Sequence, residues 1–210
     1  MRVASLRSAK AMNSNVVTKF FAPAKSFLEY IQVRSTLDTE LANEISTVLR
    51  RDQLEKSHLV VKDGMVAQRL YFIEKGAARA FYYHDGKDIT SWIYREGQLI
   101  TSWTSFYTRV PSHENVELTE DSTLVSLTYD QLQDLYRKHS KFQEFGRTMV
   151  EEQLVFLDHF YKGFMFMTAR EKYDLLLSIF PDATQRVNLG HIASFLGISQ
   201  ETLSRIRKKQ

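Results

Sequence analysis

Four turn signals divide the middle of the chain at nearly regular intervals, and they constrain its fold more than any other feature. Each is a residue followed by glycine: Asp63-Gly64, Lys75-Gly76, Asp85-Gly86 and Glu96-Gly97. The segments that they close, such as "RLYFIEKG" and "DITSWIYREG", are short and rich in β-branched and aromatic residues. Short strands that end at glycine turns about every ten residues are typical of an antiparallel β-roll or barrel. The sequence therefore predicts a jelly-roll-like β-roll in this region.

Helical periodicity flanks the predicted roll on both sides. Before it, apolar residues recur at the spacing of a helix face from Thr36 to Leu54. After it, "TYDQLQDLYRKH" predicts a short helix, and capping boxes at Ser140–Gln143 and Thr168–Glu171 each open a further helix. We therefore expect an α+β chain with a loose, disordered arm over residues 1–22, a roll with flanking helices over 23–139, a long helix over 140–166 and an all-helical C-terminal region over 167–210.

The composition excludes several classes of chemistry. Cysteine is absent, which rules out disulfides, thiolate metal sites, iron–sulfur clusters and a cysteine nucleophile. The six histidines lack metal-ligand spacing, and GxSxG, P-loop and dinucleotide motifs are missing. We expect no enzyme, no metal and no cofactor, with a haem held by one histidine as the alternative left open. No segment is apolar for long enough to span a membrane, and no secretory signal begins the chain, so we expect a cytoplasmic protein without a membrane partner.

Two apolar stripes run along the long predicted helix. One consists of Val150, Leu154, Leu157, Tyr161 and Phe164, and the other of Phe142, Phe145, Met149, Phe156 and Phe160. A helix with two apolar faces needs two surfaces to cover it. We expect one stripe to pack on the roll and the other to pair with a second copy of the chain in a homodimer. The alternative is a helix buried on both sides within one chain.

The segment "HIASFLGISQETLSRIRKKQ", His191–Gln210, predicts two short helices joined at a glycine. Asn188 suits the N-cap of the first helix, Gly197 suits its left-handed C-cap, and Ser199 suits the N-cap of the second. On the second helix the apolar side anchors, and the outward side carries groups that can bond to the edges of bases: Gln200, Glu201, Ser204 and Arg205. Hydroxyls and cations at its ends suit the phosphates of double-stranded DNA: Ser199, Thr202, Lys208 and Lys209. The alternatives are an αα-hairpin with a polar outer face and a cationic end that is merely solvated.

This segment and the order of the elements resemble the Crp/Fnr-type transcription regulators. The resemblance implies a cyclic-nucleotide-binding-like sensor roll over residues 23–139, a dimerisation helix over 140–166 and a winged helix–turn–helix over 167–210. Carried over by position, Gln200, Glu201 and Arg205 match the base-reading residues of that family, and Ser199 and Thr202 match its phosphate contacts. It also implies a homodimeric, sequence-specific regulator on a palindromic operator, with a small-molecule effector and RNA polymerase as candidate partners.

The resemblance breaks down at the phosphate cassette of the family's cyclic-nucleotide binders, which reads Gly-Glu and then Arg-Ser-Ala. Thr101-Ser102 stands at the first position and His113-Glu114-Asn115 near the second. An acid there repels a phosphate, so we expect that the roll does not bind cyclic AMP. The candidate effector pocket consists of Trp92, Thr101, Ser102, Trp103 and His113, and the alternative is that the aromatic residues of this region belong to the core of the roll. The alternatives are a cyclic-nucleotide-responsive regulator and a ligand-binding or scaffold dimer that does not bind DNA.

Overall fold

The computed structural model describes residues 24–208, so the predicted arm at residues 1–22 and Lys209 lie outside the described residues. The helices of this part of the chain are α1 Phe27–Gln32, α2 Thr39–Val48, α3 Trp103–Thr108, α4 Tyr129–Lys138, α5 Ser140–Phe164, α6 Ala169–Ile179, α7 Ala183–Arg186, α8 Leu189–Leu196 and α9 Gln200–Arg207. The strands are β1 Arg50–Leu54, β2 Leu59–Val61, β3 Arg69–Lys75, β4 Ala78–His84, β5 Lys87–Tyr94, β6 Leu99–Ile100, β7 Asn115–Leu118 and β8 Ser122–Thr128. Of these helices, none is both long and apolar enough to cross a membrane.

The strands form two four-stranded antiparallel sheets, in the orders β1-β8-β3-β6 and β2-β7-β4-β5. All four predicted glycine turns are present, and each glycine has a positive φ, between +73° and +106°. The β4–β5 hairpin turns at Asp85-Gly86, where φ is +49° and then +73°. Two successive positive φ angles match the right-handed twist of the flanking strands in a type I′ turn. The predicted antiparallel roll is confirmed.

The boundary between the first helical region and the roll differs from the prediction. The helix expected from Thr36 to Leu54 ends at Val48, and Leu49 is already extended, with ψ +131°. Arg50–Leu54 instead forms β1, which pairs antiparallel with β8. Without β1, strand β8 would expose a row of unpaired N–H and C=O groups at a sheet edge. That long-range pairing outweighs the local helical spacing.

The capping box predicted at Ser140–Gln143 is wrong, although α5 does begin at Ser140. The N-cap is His139, and it makes no side-chain capping bond. The Gln143 side-chain amide donates to the Tyr136 carbonyl oxygen of α4 at 2.7 Å. The reason is that α4 continues to Lys138, which leaves one residue between the helices and no room for a separate cap. The capping box at Thr168–Glu171 is confirmed at the start of α6.

Two apolar clusters hold these elements together. In the larger, the rings of Phe27, Tyr30, Phe72 and Phe145 pack α1, β3 and α5 together, with centroids 5.5 to 6.2 Å apart. The smaller joins the C-terminal helices to two residues of the roll region, and includes Ala77, Ile93, Tyr173, Leu176, Ile192, Leu196 and Leu203. The C-terminal helices are therefore anchored on the roll through a shared apolar core.

The two stripes of α5 have different surroundings. Phe142, Phe145, Met149 and Phe156 are buried against the rest of the chain. Four residues of the other stripe face solvent, and Leu154 and Tyr161 are each 68% exposed, whereas Phe164 is half-buried against the C-terminal core. One covering surface is thus supplied by the chain itself, and pairing with a second copy stays a prediction. In residues 165–208 the structure has helices only, so the wing implied by the resemblance is not among the described residues.

Candidate functional site

The C-terminal segment forms two short helices that meet at a glycine corner. Asn188 caps α8 by accepting a hydrogen bond from the Gly190 N–H at 2.7 Å. Gly197 ends α8 at φ +66° and ψ +37°, in the left-handed region that glycine adopts without steric cost. Ser199 then accepts from the Thr202 N–H at 3.2 Å and caps α9. All three caps agree with those predicted from the sequence.

Helix α9 has one buried and one exposed face. Leu203 is buried in the C-terminal core. The predicted base-reading residues all lie on the exposed face: Gln200, Glu201, Ser204 and Arg205. Hydrogen bonds with Ser199 and with its own backbone lower the pKa of Glu201, so its carboxylate is an ionised acceptor at neutral pH. Exposed donors and acceptors on one face of a supported helix are the groups that can contact base edges in the major groove.

The predicted phosphate contacts lie at both ends of α9. Ser199 is exposed and Thr202 is half-buried in the first turn, and the Ser199 hydroxyl donates to Thr202 Oγ1 at 3.2 Å. Lys208 is exposed immediately after the last turn, whereas Lys209 is beyond the described residues. Helix α9 therefore combines hydroxyls at its start with a cation at its end.

Two basic side chains of α6 support this pair of helices. Lys172 donates to the Leu196 carbonyl oxygen at the end of α8, and Arg170 donates to the Ile206 carbonyl oxygen in α9, each at 3.3 Å. Cations near a helix C-terminus satisfy carbonyl groups that lack an intrahelical partner, and they interact favourably with the helix dipole. Helix α6 therefore stabilises the orientation of both helices.

Arg186 of α7 connects the C-terminal helices to the roll. Its guanidinium donates to Glu96 and to Glu120, each with a bond of 3.0 Å. Burial opposes ionisation of Glu96, but hydrogen bonds from Arg186 and from the Gly76 N–H outweigh it and lower its pKa. Because the Arg186 side chain is only 18% exposed, the three groups form a partly desolvated ion cluster.

Helix α8 also packs directly on strand β5. The Thr90 N–H donates to Ser194 Oγ at 2.9 Å. The Trp92 ring lies 5.5 Å from the Phe195 ring of α8, measured between centroids. It also lies 5.7 Å from Phe156 and 4.8 Å from Phe160, both on α5. Trp92 thus joins the roll, the long helix and the first helix of the C-terminal pair.

A cavity of about 450 Å³ lies between the roll and α5. Its aromatic lining residues are Tyr30, Trp92, Tyr94, Trp103, Tyr107 and Phe156. Three residues of the exposed stripe also line it, namely Val150, Leu154 and Leu157. The cavity therefore opens beside the surface predicted to pair with a second copy. A concave, mainly apolar site of this size suits a small organic ligand.

Glu114 is the one acidic side chain among the described residues that line this cavity. Its backbone is held by Ser112, whose hydroxyl donates to the Glu114 carbonyl oxygen at 2.8 Å and accepts from the Glu114 N–H at 3.1 Å. Burial raises the pKa of Glu114, and a hydrogen bond with Ser102 partly opposes that rise. Among the same lining residues there is no Lys, Arg or His.

Comparison with known proteins agrees with this architecture. Residues 51–139 match the family model of the cyclic nucleotide-binding domain. One similar solved structure is a protein from Eubacterium rectale described as a transcriptional regulator of the Crp/Fnr family, with 15% identity and a TM-score of 0.62 over 82% of this chain and 83% of that one. FixK2 from Bradyrhizobium japonicum has 16% identity and a TM-score of 0.62 over 77% of this chain and 84% of its own. The catabolite activator protein of Thermus thermophilus has 21% identity and a TM-score of 0.52 over 82% of this chain and 83% of its own. The chain has the fold of a Crp/Fnr-type regulator. A comparison with curated proteins found no significant match to the sequence.

Within this Crp/Fnr fold, the residues predicted for an effector pocket take different positions. Trp92 and Trp103 line the cavity. Thr101 and Ser102 are buried next to α3, where Thr101 Oγ1 donates to a carbonyl oxygen of β3 at 3.0 Å. His113 is exposed and is not one of the lining residues. Of the five residues predicted for the pocket, the two tryptophans line the cavity, and from the cassette region Glu114 does.

Two arginines of the Crp/Fnr roll that could attract an anion bind protein groups instead. Arg109 has φ +62° after α3 and donates to the Ala67 carbonyl oxygen at 2.7 Å. Arg79 is buried and pairs with Asp88 at 2.6 Å and with Glu117 at 2.9 Å. Neither arginine lines the cavity.

Several residues of these sites were missed because they come from distant segments of the chain. Tyr30, Gln98 and Gln153 line the cavity from α1, the loop before β6 and α5. Arg186 meets Glu120 and Glu96 from 66 and 90 positions away. No local spacing marks such residues, and only the folded chain brings them together.

Proposed function

We propose that the protein is a sequence-specific DNA-binding regulator of transcription. The observation that carries the proposal is the exposed polar face of α9, which the Gly197 corner and the buried Leu203 hold in place. In helix–turn–helix proteins the second helix lies in the major groove and its outward side chains contact base edges. On this helix Gln200 suits adenine, Glu201 suits cytosine and Arg205 suits guanine.

The proposal includes a homodimer and a palindromic operator. The exposed apolar stripe of α5 supports pairing, because a long apolar face in water is stabilised when it is covered. A twofold dimer presents two copies of α9, and its operator then has half-sites about one turn of DNA, roughly 34 Å, apart. RNA polymerase is a further partner of this proposal, as the resemblance implies.

The lining of the cavity supports an effector other than a cyclic nucleotide. A cyclic phosphate is bound by cations and hydrogen-bond donors. Here the described lining residues include the carboxyl group of Glu114 and no Lys, Arg or His. Calorimetry with cyclic AMP and with cyclic GMP tests this part. We expect no binding, and micromolar affinity for either nucleotide would overturn it.

Selection of bound duplexes from a randomised pool tests DNA reading directly. We expect the full chain to enrich an inverted repeat whose half-sites are about one helical turn apart. Selection at low salt retains weak binders, because phosphate contacts strengthen as counterions are diluted. An unenriched pool under those conditions would contradict the proposal and favour a scaffold dimer that does not bind DNA.

Two single substitutions separate base contacts from phosphate contacts on α9. Arg205→Ala is expected to relax the preference at one base position and to cost about 1–3 kcal/mol on the selected site. Lys208→Ala is expected to weaken binding about equally on all sequences and to reduce the salt slope by about one. Arg137→Ala, at an exposed position of α4, controls for the loss of one positive charge. If Arg205→Ala behaves like Lys208→Ala, Arg205 contacts phosphate and does not read a base.

A further inference from the structure

We propose that the cavity between the roll and α5 binds a small organic cation, whose charge pairs with Glu114 while its apolar body contacts the aromatic walls. Primary and quaternary ammonium compounds with an aromatic or aliphatic body belong to this class. The role of such a ligand as an effector rests on the proposed regulatory function. Its binding to the cavity does not, so binding and regulation can be refuted separately.

The lining of the cavity carries one acidic group and, among the described residues, no basic one. Glu114 reaches the cavity, and no cation from the described part of the chain contributes to its pKa. Ser102 provides its side-chain hydrogen bond, and that is a neutral partner. A partly buried carboxyl group without a cation is costly to ionise, which is why burial raises the pKa of Glu114. An ammonium group placed beside it supplies the missing opposite charge in a site of low dielectric, where such a pair is stronger than in water.

The walls of the cavity are rich in tryptophan and tyrosine. Trp92, Tyr94, Trp103 and Tyr107 all line the cavity, and the rings of Trp103 and Tyr107 stack with a 6.1 Å centroid distance. The faces of tryptophan and tyrosine rings attract cations through their quadrupoles, and the attraction grows when the cation is desolvated. Glu114 and these rings therefore favour the same sign of charge. An anionic ligand would meet no Lys, Arg or His among the described lining residues.

Glu114 and the aromatic lining lie close together in the chain without any ligand. After burial itself, the charge of Glu114 is the other cause that raises the pKa of Tyr94, so the carboxyl group and that ring are close. The polar lining residues Gln98 and Gln153 are uncharged and can donate or accept hydrogen bonds. They can orient a polar group at the other end of the ligand, and they do not compete for its charge.

Intrinsic fluorescence provides a direct readout of occupancy. The chain has two tryptophans, Trp92 and Trp103, and both line the cavity. Three probes of similar size differ in charge: phenethylamine is a cation, 2-phenylethanol is neutral and 3-phenylpropanoate is an anion. We expect tryptophan emission to change on titration with all probes that bind, with affinity in the order cation, neutral, anion. Isothermal titration calorimetry gives the same affinities independently.

The matched variants are Glu114→Gln and Glu55→Gln. Glu114→Gln is expected to reduce the affinity for phenethylamine about ten- to a hundredfold, the usual range for a hydrogen bond to a charged group, and to leave 2-phenylethanol little changed. Glu55 is exposed and outside the cavity, so its substitution should leave all three affinities unchanged. Melting curves of both variants report whether the fold is retained.

A second variant covers the case in which Glu114→Gln does not fold. Gln153→Lys adds a cation to the lining from α5. It is expected to lower the affinity of the cavity for phenethylamine and to raise its affinity for 3-phenylpropanoate. Equal affinities for the three probes, a preference for the anion or no binding of phenethylamine would overturn the proposal. So would a cation preference that survives Glu114→Gln in a folded variant. None of these titrations contains DNA, so they are independent of the outcome of duplex selection.

Discussion

Truncation of a single leucine on α5 tests whether the chain pairs with itself through the exposed stripe. Leu154 is 68% exposed in the single chain. Burial of a whole leucine side chain contributes about 1.5–3 kcal/mol, so covering the exposed two-thirds contributes about 1–2 kcal/mol per protomer. A twofold dimer covers two copies. Leu154→Ala should therefore weaken the dimer by about 2–4 kcal/mol, or roughly 30- to 700-fold in the dissociation constant.

Sedimentation equilibrium over a range of concentrations measures this change. Lys162→Ala is the matched control, because Lys162 lies on the same helix, its side chain is 73% exposed and it pairs locally with Asp158. We expect the control to dimerise like the unmodified chain and both variants to keep the same circular dichroism spectrum. An unmodified chain that is monomeric at micromolar concentration, or equal weakening by the two substitutions, would refute pairing through this stripe.

Three further substitutions test other contacts. Arg186→Ala leaves two partly buried carboxylates without their shared cation, so it should destabilise the packing of the C-terminal helices on the roll by about 1–3 kcal/mol. Faster hydrogen exchange in residues 183–196 would detect this change, and unchanged exchange would contradict the role given to this ion cluster. Glu114→Gln removes a carboxyl group whose pKa is raised in the folded chain. Because the folded chain holds that proton more tightly than the unfolded chain, the free energy of unfolding of the unmodified protein falls as pH rises from about 4 through the folded pKa. Urea titrations should therefore show the variant gaining stability relative to the unmodified protein toward neutral pH, and a constant difference would refute this. Gly197→Ala places a Cβ in the left-handed region and should cost about 1–2 kcal/mol in the free energy of unfolding, and a neutral result would show that the corner is not conformationally demanding.

The parts of the fold that depend on local chemistry were predictable from the sequence. A glycine with positive φ ends a strand or helix wherever its neighbours supply the right pattern, as at Gly86 and Gly197. The cap at Thr168 needs only its own hydroxyl and Glu171 three residues later. Arg50–Leu54 could not be assigned in this way, because its partner strand β8 lies more than sixty residues further along the chain. Strand pairing of that kind depends on the whole sheet.

Of the two candidate sites, the polar face of α9 was predictable from a local pattern and the cavity was not. The exposed polar face of α9 depends on helical periodicity over eight residues, and the sequence contains that information. The cavity is assembled from α1, β4, β5, β6, α3, α5 and the loops before β6 and β7, so its lining could not be assigned by spacing. His113 and Glu114 illustrate the difficulty. Both lie in a bend before β7, where no strand alternation fixes which side each faces, and here the acid lines the cavity while the neighbouring histidine is exposed.

The position of Trp92 has a thermodynamic consequence. Its ring borders the cavity on one side and contacts Phe195 of α8 on another, so one side chain separates a bound ligand from the helix that supports α9. If occupancy of the cavity changes the affinity of α9 for DNA by some factor, bound DNA must change the affinity of the cavity for its ligand by the same factor. An operator duplex would then act as an effector of the ligand site, and the tryptophan titration would report the magnitude of that coupling without any measurement of transcription.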